Sequence, residues 1–408
     1  MKINIILGQK VPKGLHVRIN LETGITEAKL LSKNKKANTA VKAIQNEKSD
    51  DITDDTGQQP RLSPIQLKET LKRLKNDDSK ATEAEGVKKQ FKSYDEIKKD
   101  LEKLNIDVVT EAEALTELLE KHNDLMSRKE IDEEEILTIL EDLEYWVHRY
   151  DNANVFVQIN GFRDVIYKNL NSTNREIRRE TLKLLGSSMQ NNIKVKIHAL
   201  ETGSINVLLR ILALDVDLSV KYRALFALGG LLRDFPYAQL KFVENGGLSV
   251  FSKLFKMRNL KIHMKMITLI GDLLQEELNS RKDPSSKDYT MKMVQYDEVN
   301  LRNRLLRHGY CENLDELVID AVKIGTSDHD IVEKCLTALY SVIDECADHL
   351  SQKSKDILVN LRDIYKKLSE NQNDENVLTE DLNFFTVLYE LSDRIVDKLK
   401  ETAVRDEL

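Results

Sequence analysis

The chain has 408 residues, a formal net charge of -7, 41% hydrophobic and 32% charged residues, and only 15 Gly and 5 Pro. That balance suits a helical protein with solvated outer faces and excludes the basic footprint of a nucleic-acid-binding surface. No apolar run approaches the roughly 20 residues that a bilayer-spanning helix requires.

Residues 1–31 form an N-terminal segment. Leu15, Val17, Ile19 and Leu21 alternate with His16, Arg18 and Asn20, Glu22-Thr-Gly24 turns the chain, and Ile25 to Leu30 leaves again. The alternation predicts a β-hairpin, which is marginal alone and must dock on helices or pair with a partner. Residues 32–62 are Lys, Asn, Asp and Thr with scattered aliphatics, the composition of a disordered linker. Asp51 to Leu62 fails as a calcium loop, because Gly57 falls one place late and no Glu closes it.

Residues 63–130 are read as N-terminal helices. Ser63-Pro-Ile-Gln66 supplies an N-cap, Pro at N1 and a capping-box partner for a helix to about Lys75. Ile97, Leu101 and Leu104 share a face between Tyr94 and Leu104, and Thr110 with Glu113 makes another capping box before Leu115, Leu118, Leu119 and Leu125.

Residues 131–350 hold repeats. Ile136, Ile139, Leu140, Leu143, Val147 and Tyr150 form one apolar stripe, read as the long helix of a degenerate opening unit. From Val155 to Leu278 two markers then recur: Gly161, Gly203 and Gly246 at steps of 42 and 43, and Leu185-Gly186, Leu228-Gly229 and Ile270-Gly271 at steps of 43 and 42. A period in the low forties belongs to helical solenoids or propeller blades. The apolar residues between the glycines keep helical spacing, as in Val165, Ile166 and Leu170 and then Ile177, Leu182, Leu184 and Leu185, which disfavours blades. Each unit reads as a short helix, a Gly corner, a second helix, a polar turn and a longer third helix, the armadillo pattern. The expected fold is all-α, an armadillo-like right-handed superhelical solenoid with a small N-terminal β-hairpin and a disordered linker. One unit cannot bury its own apolar faces, so stability comes from stacking neighbours.

A charged insertion at 279–300 breaks the beat. Leu305 to Asp320 and Asp330 to His349 read as an irregular fourth unit with its corner at Gly309. Residues 351–400 carry two capping helices, Ser354 to Ser369 and Thr379 to Lys400. Residues 401–408 end in Arg405, Asp406, Glu407 and Leu408, which match a KDEL-type retrieval address at three of four positions. This predicts residence in the lumen of the endoplasmic reticulum and a retrieval receptor as partner. Such an address presupposes entry into that compartment, yet the apolar core of Met1 to Gly8 is too short for a signal peptide, so a leader is expected upstream. Asn171-Ser-Thr173 is a glycosylation sequon in the polar turn between two helices.

Three cysteines, Cys311, Cys335 and Cys346, leave at least one thiol unpaired. Cys335 and Cys346 sit eleven apart in what reads as one helix, beyond disulfide reach. Cys311 could pair with either only if the fold brings it there, and free buried thiols are the expectation. His308 and Cys311 with Cys346 and His349 have ligand types that zinc can use, but an i, i+3 pair on a helix is the spacing of any packed neighbours, and no metal is expected. His148 is expected to be a satisfied interfacial histidine. No Walker loop, dinucleotide fingerprint, nucleophile elbow or metalloprotease helix occurs, so neither an enzyme nor a cofactor is expected.

A solenoid without catalytic groups is a binding surface. On its third helices the residues not committed to the core are Arg178, Arg179, Lys183, Lys221, Tyr222, Arg233 and Asp272, each of which is otherwise an exposed helix charge of no consequence.

Val11-Pro-Lys-Gly-Leu-His-Val-Arg-Ile-Asn-Leu-Glu-Thr-Gly24, Glu27-Ala-Lys-Leu30, Leu143-Glu-Tyr-Trp-Val-His-Arg-Tyr-Asp-Asn-Ala153 and Leu231-Leu-Arg-Asp-Phe-Pro-Tyr-Ala-Gln239 resemble the animal members of the SIL family, armadillo nucleotide exchange factors that serve the chaperone BiP. The resemblance runs from Val11 to the last helix. It implies a monomer whose concave face clasps the ATPase domain of this DnaK-type chaperone and loosens ADP. Carried onto matching positions, it marks Tyr145, Asp151, Asn152, Arg233 and Tyr237 as contacts or their immediate support. The rival reading has Asp151-Asn152 cap the next helix and Phe235-Pro236-Tyr237 pack a corner. The family's upstream cysteine pair is absent. The alternative function is an adaptor that binds a protein without exchange activity. Its peptide-holding form uses an Asn ladder, and Leu182 to Met189, Ala224 to Leu231 and Met266 to Leu273 contain no Asn. A cytosolic exchange factor of the same fold is opposed only by the tail and the hairpin.

Overall fold

The computed structural model describes residues 2–5, 16–19, 26–29, 109–257, 259–285, 289–324, 328–370 and 379–406. The linker at 32–62, the helices expected between Ser63 and Leu104, and Glu407-Leu408 lie outside these. Two compact units result, Met1–Ala114 and Leu115–Leu408. In the first, strands β1 (Lys2–Ile5), β2 (His16–Ile19) and β3 (Thr26–Lys29) form an antiparallel sheet in the order β1-β3-β2. Both Ile3 and Val17 stand opposite Ala28.

The second unit is a stack of helical layers. Helices α1 (Glu111–Ser127) and α2 (Glu133–Val147) open it. The first full layer is α3 (Tyr150–Gln158), α4 (Phe162–Ile166 continuing into Tyr167–Asn169) and α5 (Arg175–Met189). Next come α6 (Ile193–Glu201), α7 (Ser204–Leu214) and α8 (Leu218–Leu232), then α9 (Pro236–Glu244), α10 (Gly247–Phe255) and α11 (Leu260–Lys282). Beyond α12 (Tyr289–Val299) follow α13 (Leu301–Arg307), α14 (Tyr310–Ile324) and α15 (His329–Tyr340). A short α16 (Ile343–Cys346), α17 (Gln352–Glu370) and α18 (Thr379–Asp406) complete a further layer. The third helices α2, α5, α8, α11, α15 and α18 pack in that order, each on the next, as an armadillo-like superhelix requires.

Local chemistry explains the regularity. An acceptor side chain closes the polar turn before the inner helices α2, α5, α8, α11 and α15 and satisfies first-turn N–H groups: Asp132, Asn174, Asp217, Asn259 and Asp328. Each such cap is worth about 1 kcal/mol. The corner between first and second helices is a single left-handed residue, Gly203 (φ 83°), Gly246 (φ 81°) and Gly309 (φ 75°). The first corner departs from the expected Gly161. Asn160 takes the left-handed conformation (φ 63°) and Gly161 is ordinarily helical. Gly161 is there for space, because a Cβ would lie 2.2 Å from the Phe156 ring, as one at Gly247 would from Phe242. The corners thus fall at 160, 203 and 246, a constant step of 43.

Close approach is decisive where α5 meets α8. A Cβ on Gly186 would sit 2.4 Å from the Phe226 ring, and one on Gly230 would sit 3.1 Å from the Gly186 carbonyl oxygen. Three further sequence expectations need correction. Helix α2 stops at Val147, so Tyr150 starts the next helix and is exposed rather than continuing the buried stripe. The break expected after Leu278 comes later, since α11 runs on to Lys282 and α12 folds back against α9 and α11.

The third concerns the cysteines. The helix carrying Cys335 ends at Tyr340, and the chain turns before α16. Cys346 therefore swings toward α14 and forms a disulfide with Cys311, leaving Cys335 as the buried free thiol. His308 instead hydrogen-bonds the Arg304 carbonyl (2.8 Å) and His349 contacts Glu312 (3.1 Å), so neither pairs with a cysteine around a metal. Burial pushes the Cys335 thiol up to about 12, which keeps it protonated and inert. Peptide mapping without reductant should therefore find Cys311 joined to Cys346, with Cys335 alkylated only after denaturation. The double variant C311S/C346S should lose roughly 3–4 kcal/mol of stability in denaturant titration, the loop-entropy value for a 35-residue separation. An unchanged midpoint would show that the cross-link is not formed.

Candidate partner-binding face

Several of the contacts expected on the inner helices turn out to be engaged within the fold. Lys221 is 3% exposed. Its ammonium donates to the Leu212 carbonyl at the end of α7, so it caps a helix and is not available to a partner. Burial lowers its pKa. Arg178 forks onto both Asp215 oxygens (2.8 and 3.1 Å) and also donates to the carbonyls of Ser172 and Thr173, tying two rim turns together. Asn152 is buried and its Nδ2 donates to the Trp146 carbonyl (3.2 Å). It does not cap α3, whose N-cap is Arg149; it holds the end of α2 from within.

On α2, Tyr145 is half-buried and packs edge-on against Trp146, while Asp151 is exposed in the first turn of α3. Glu144 is almost fully buried and receives Lys183 (3.2 Å) and Ser187 (3.0 Å) from α5 and His148 (2.7 Å) from its own helix. Lys183 is thereby accounted for as an interlayer contact and His148 as a contact within its own layer. Arg179 pairs with Glu176 and Glu180 along α5. Asn171 is exposed in its turn, its Nδ2 donating to the Tyr167 carbonyl and its Oδ1 accepting from Arg210 of the next layer.

What remains is a connected strip on α8 and α11. Lys265 of α11 reaches over the rings of Tyr222 (5.3 Å) and Phe226 (5.5 Å), a cation–π arrangement. Arg233, just past α8, donates Nε to Asp272 Oδ2 at 2.8 Å across the layer boundary, and both side chains stay well exposed. Asp272 in turn lines a groove of about 740 Å³ with Gly271 and Gln275 of α11, Arg302 of α13 and Tyr340 of α15. Lys398 of α18 closes its far side, paired with Asp344 and lying over Tyr340. Tyr237 belongs to the first helix α9, where its ring sits against Phe235 and under Lys241. The 231–239 motif is thus divided between the strip and a corner.

Sequence reading missed Lys265, although it stands one 43-residue step beyond Tyr222 and two beyond Arg179. It also missed Lys196, Gln239 and Glu276, three polar residues behind Arg233. Lys196, held below its usual range by burial, donates to the Arg233 carbonyl (2.6 Å). Gln239 Nε2 bonds both the Leu232 carbonyl (3.1 Å) and Glu276 Oε2 (3.2 Å). Among the described residues no three His, Cys, Asp or Glu converge as a metal site, and no single helix is long and apolar enough to cross a membrane.

Burial pushes the Glu276 carboxyl up to about 7, against 4.5 for the free group. Below 4.5 both folded and unfolded chains are protonated there and the group's stabilising contribution is complete. Between 4.5 and 7 the unfolded chain alone gives up its proton, so stability declines as pH rises through the native value. Wild-type protein should lose thermal midpoint between about pH 5 and pH 8 relative to Glu276→Gln, whose curve is flatter and higher at pH 8. Parallel curves, followed by circular dichroism at half-unit pH steps, would contradict the burial of an ionisable carboxyl.

Two family models match the chain. The SIL1/FES1/HPBP1 C-terminal domain covers residues 152–400, and the nucleotide exchange factor Sil1 small beta-sheet domain covers residues 4–24. A nucleotide exchange factor SIL1 from Xenopus laevis is 32% identical over 401 residues, covering 96% of this chain and 83% of the relative. The Mus musculus protein of the same name is 33% identical over 350 residues, covering 85% and 72%. An Hsp70 nucleotide exchange factor FES1 from Mycosarcoma maydis is 29% identical over 144 residues, covering 35% and 36%.

Proposed function

Since this chain belongs to the SIL1/FES1/HPBP1 family, and its long-range relatives are nucleotide exchange factors rather than catalysts, we propose that it is a co-chaperone that promotes ADP release from an Hsp70-type ATPase domain. The observation that carries this reading is the strip of Tyr222, Phe226, Lys265, Arg233 and Asp272 running into the α11–α15–α18 groove. It offers aromatic anchors and paired charges on a face built from rigid, mutually packed helices, the composition that interface hot spots favour.

The mechanism is a difference of affinities. A partner that binds the open form of the ATPase domain more tightly than its nucleotide-closed form shifts the population toward the open form. Reciprocally, nucleotide weakens that partner. No bond is made or broken by the factor, so it needs no cofactor. Tyr222, Arg233 and Asp272 are the contacts we assign from the strip. Tyr145, Asp151 and Tyr237 are assigned as flanking contacts, and Asn152 and Lys221 support the surface from within.

The finer assignment is to the endoplasmic reticulum lumen and its chaperone BiP, with a retrieval receptor engaging Arg405 to Leu408. The terminal tetrapeptide supports it, and so does a sequon whose Asn171 is exposed on a turn. The factor is expected to act as a monomer.

Release of a fluorescent ADP from purified BiP should accelerate when this protein is added. Tight binding with an unchanged release rate would instead support the adaptor reading. The Arg233→Glu variant should raise the half-maximally effective concentration by roughly tenfold, the cost of placing a like charge in a charged contact, with unaltered helical circular dichroism. Loss of helicity in that variant would return Arg233 to a purely structural role.

A further inference from the structure

Three successive residues at the α8–α9 corner are each held by a different polar side chain from beneath. The Leu232 carbonyl accepts from Gln239 of α9, the Arg233 carbonyl from Lys196 of α6, and the Asp234 N–H donates to the Glu276 carboxylate of α11. Gln239 and Lys196 are almost completely buried, and Gln239 also bonds Glu276, which joins the three into one network. Asp234 is left-handed (φ 52°), a conformation that a non-glycine residue keeps only when its surroundings hold it there. A buried lysine and a half-buried glutamate both cost desolvation energy, and apolar residues would pack this corner without that cost. What the network adds is a fixed path for the main chain that carries Arg233.

We propose that Lys196, Gln239 and Glu276 form a positioning clamp that aims Arg233 at the partner, and that the charge on Glu276 sets how firmly the clamp holds. The proposal rests on the reading of Arg233 as a partner contact. The ionised carboxylate is the stronger acceptor for the Asp234 N–H and the Gln239 amide, because hydrogen bonds to a charged group are the strong ones. It also faces Lys196 and the Arg233 guanidinium, which favour ionisation, and Asp234, which opposes it. Asp272 and Glu277 share its helix and Tyr296 packs nearby from α12. Burial places the titration of Glu276 in the neutral range. The same ionisation that lowers stability therefore tightens the corner. A merely structural residue would move stability and partner affinity in the same direction; this clamp moves them oppositely.

The test measures the half-maximal concentration for ADP release from BiP between pH 6 and pH 8, for wild type and Glu276→Gln in parallel. Their ratio removes the chaperone's own pH dependence. The two proteins should agree within about twofold at pH 6, where both carry a neutral group. At pH 8 the variant should need roughly five- to tenfold more protein, the factor that exchanging a charge-assisted hydrogen bond for a neutral one implies. A ratio constant across the range, or a variant better than wild type at pH 8, would overturn the clamp. Lys196→Met should raise the half-maximal concentration at every pH with helicity intact, and a wild-type value for it would equally overturn the idea. If wild type binds the ATPase domain without speeding release, the exchange reading fails and the pH ratio is taken on the binding constant. If it does not bind at all, both fall.

Discussion

Everything in the second unit depends on one packing constraint: each layer is covered on both sides only by its neighbours. The inner helices α2, α5, α8, α11, α15 and α18 bury Leu140, Leu143, Leu182, Leu185, Leu225 and Leu228, among others, between successive layers. Burial at this scale is worth about 25 cal/mol per Å² of apolar surface, and no layer can collect it alone. The tolerance is tight, as Gly186 and Gly230 show. Side chains there would drive α5 and α8 apart, and the separation would propagate to every later layer of the stack.

Covering the faces leaves the helix ends to be satisfied, and here the protein spends charged side chains that a surface reading would assign to partners. Lys221 and Lys196 enter the interior to meet main-chain carbonyls, and Asn152 and Gln239 do the same with amides. Each leaves its carbonyl paired, where an orphaned one would cost about 1–3 kcal/mol. Arg178 does at the rim what these do inside. The inner face is consequently left with a small set of side chains, and their closeness makes it a surface: Lys265 over two rings, Arg233 on Asp272, and Asp272 at the edge of a groove. In the proposed mechanism such a face acts without chemistry, because a surface complementary to one shape of its partner disfavours the other.

Much of this was legible in the chain. The repeat period, the helical spacing of the apolar residues and the Asn or Asp before α2, α5, α8, α11 and α15 are local signals, since caps and corners are decided by a few neighbouring residues. Gly203, Gly246 and Gly309 were legible for the same reason, as left-handed positions that Gly fills without strain. Gly161 shows the limit. It resembles the other corner glycines in sequence, but Asn160 turns the chain and Gly161 makes room for Phe156. Arg179, Tyr222 and Lys265 share a repeat position that the period alone identifies.

The sequence by itself determined the layers, their order and the family, because these rest on patterns within about 43 residues. The tertiary structure decided which of the polar residues stay exposed and which face inward. Lys221 and Arg233 are both basic residues of one inner-helix segment, yet one caps α7 and the other meets Asp272 from the next layer. It also decided the cysteines: nothing local brings Cys346 to Cys311, and only the turn after Tyr340 and the docking of α16 on its layer does so. A side chain that pairs across a layer boundary, as Arg233 does with Asp272, depends on a residue about one repeat away and outside any local pattern.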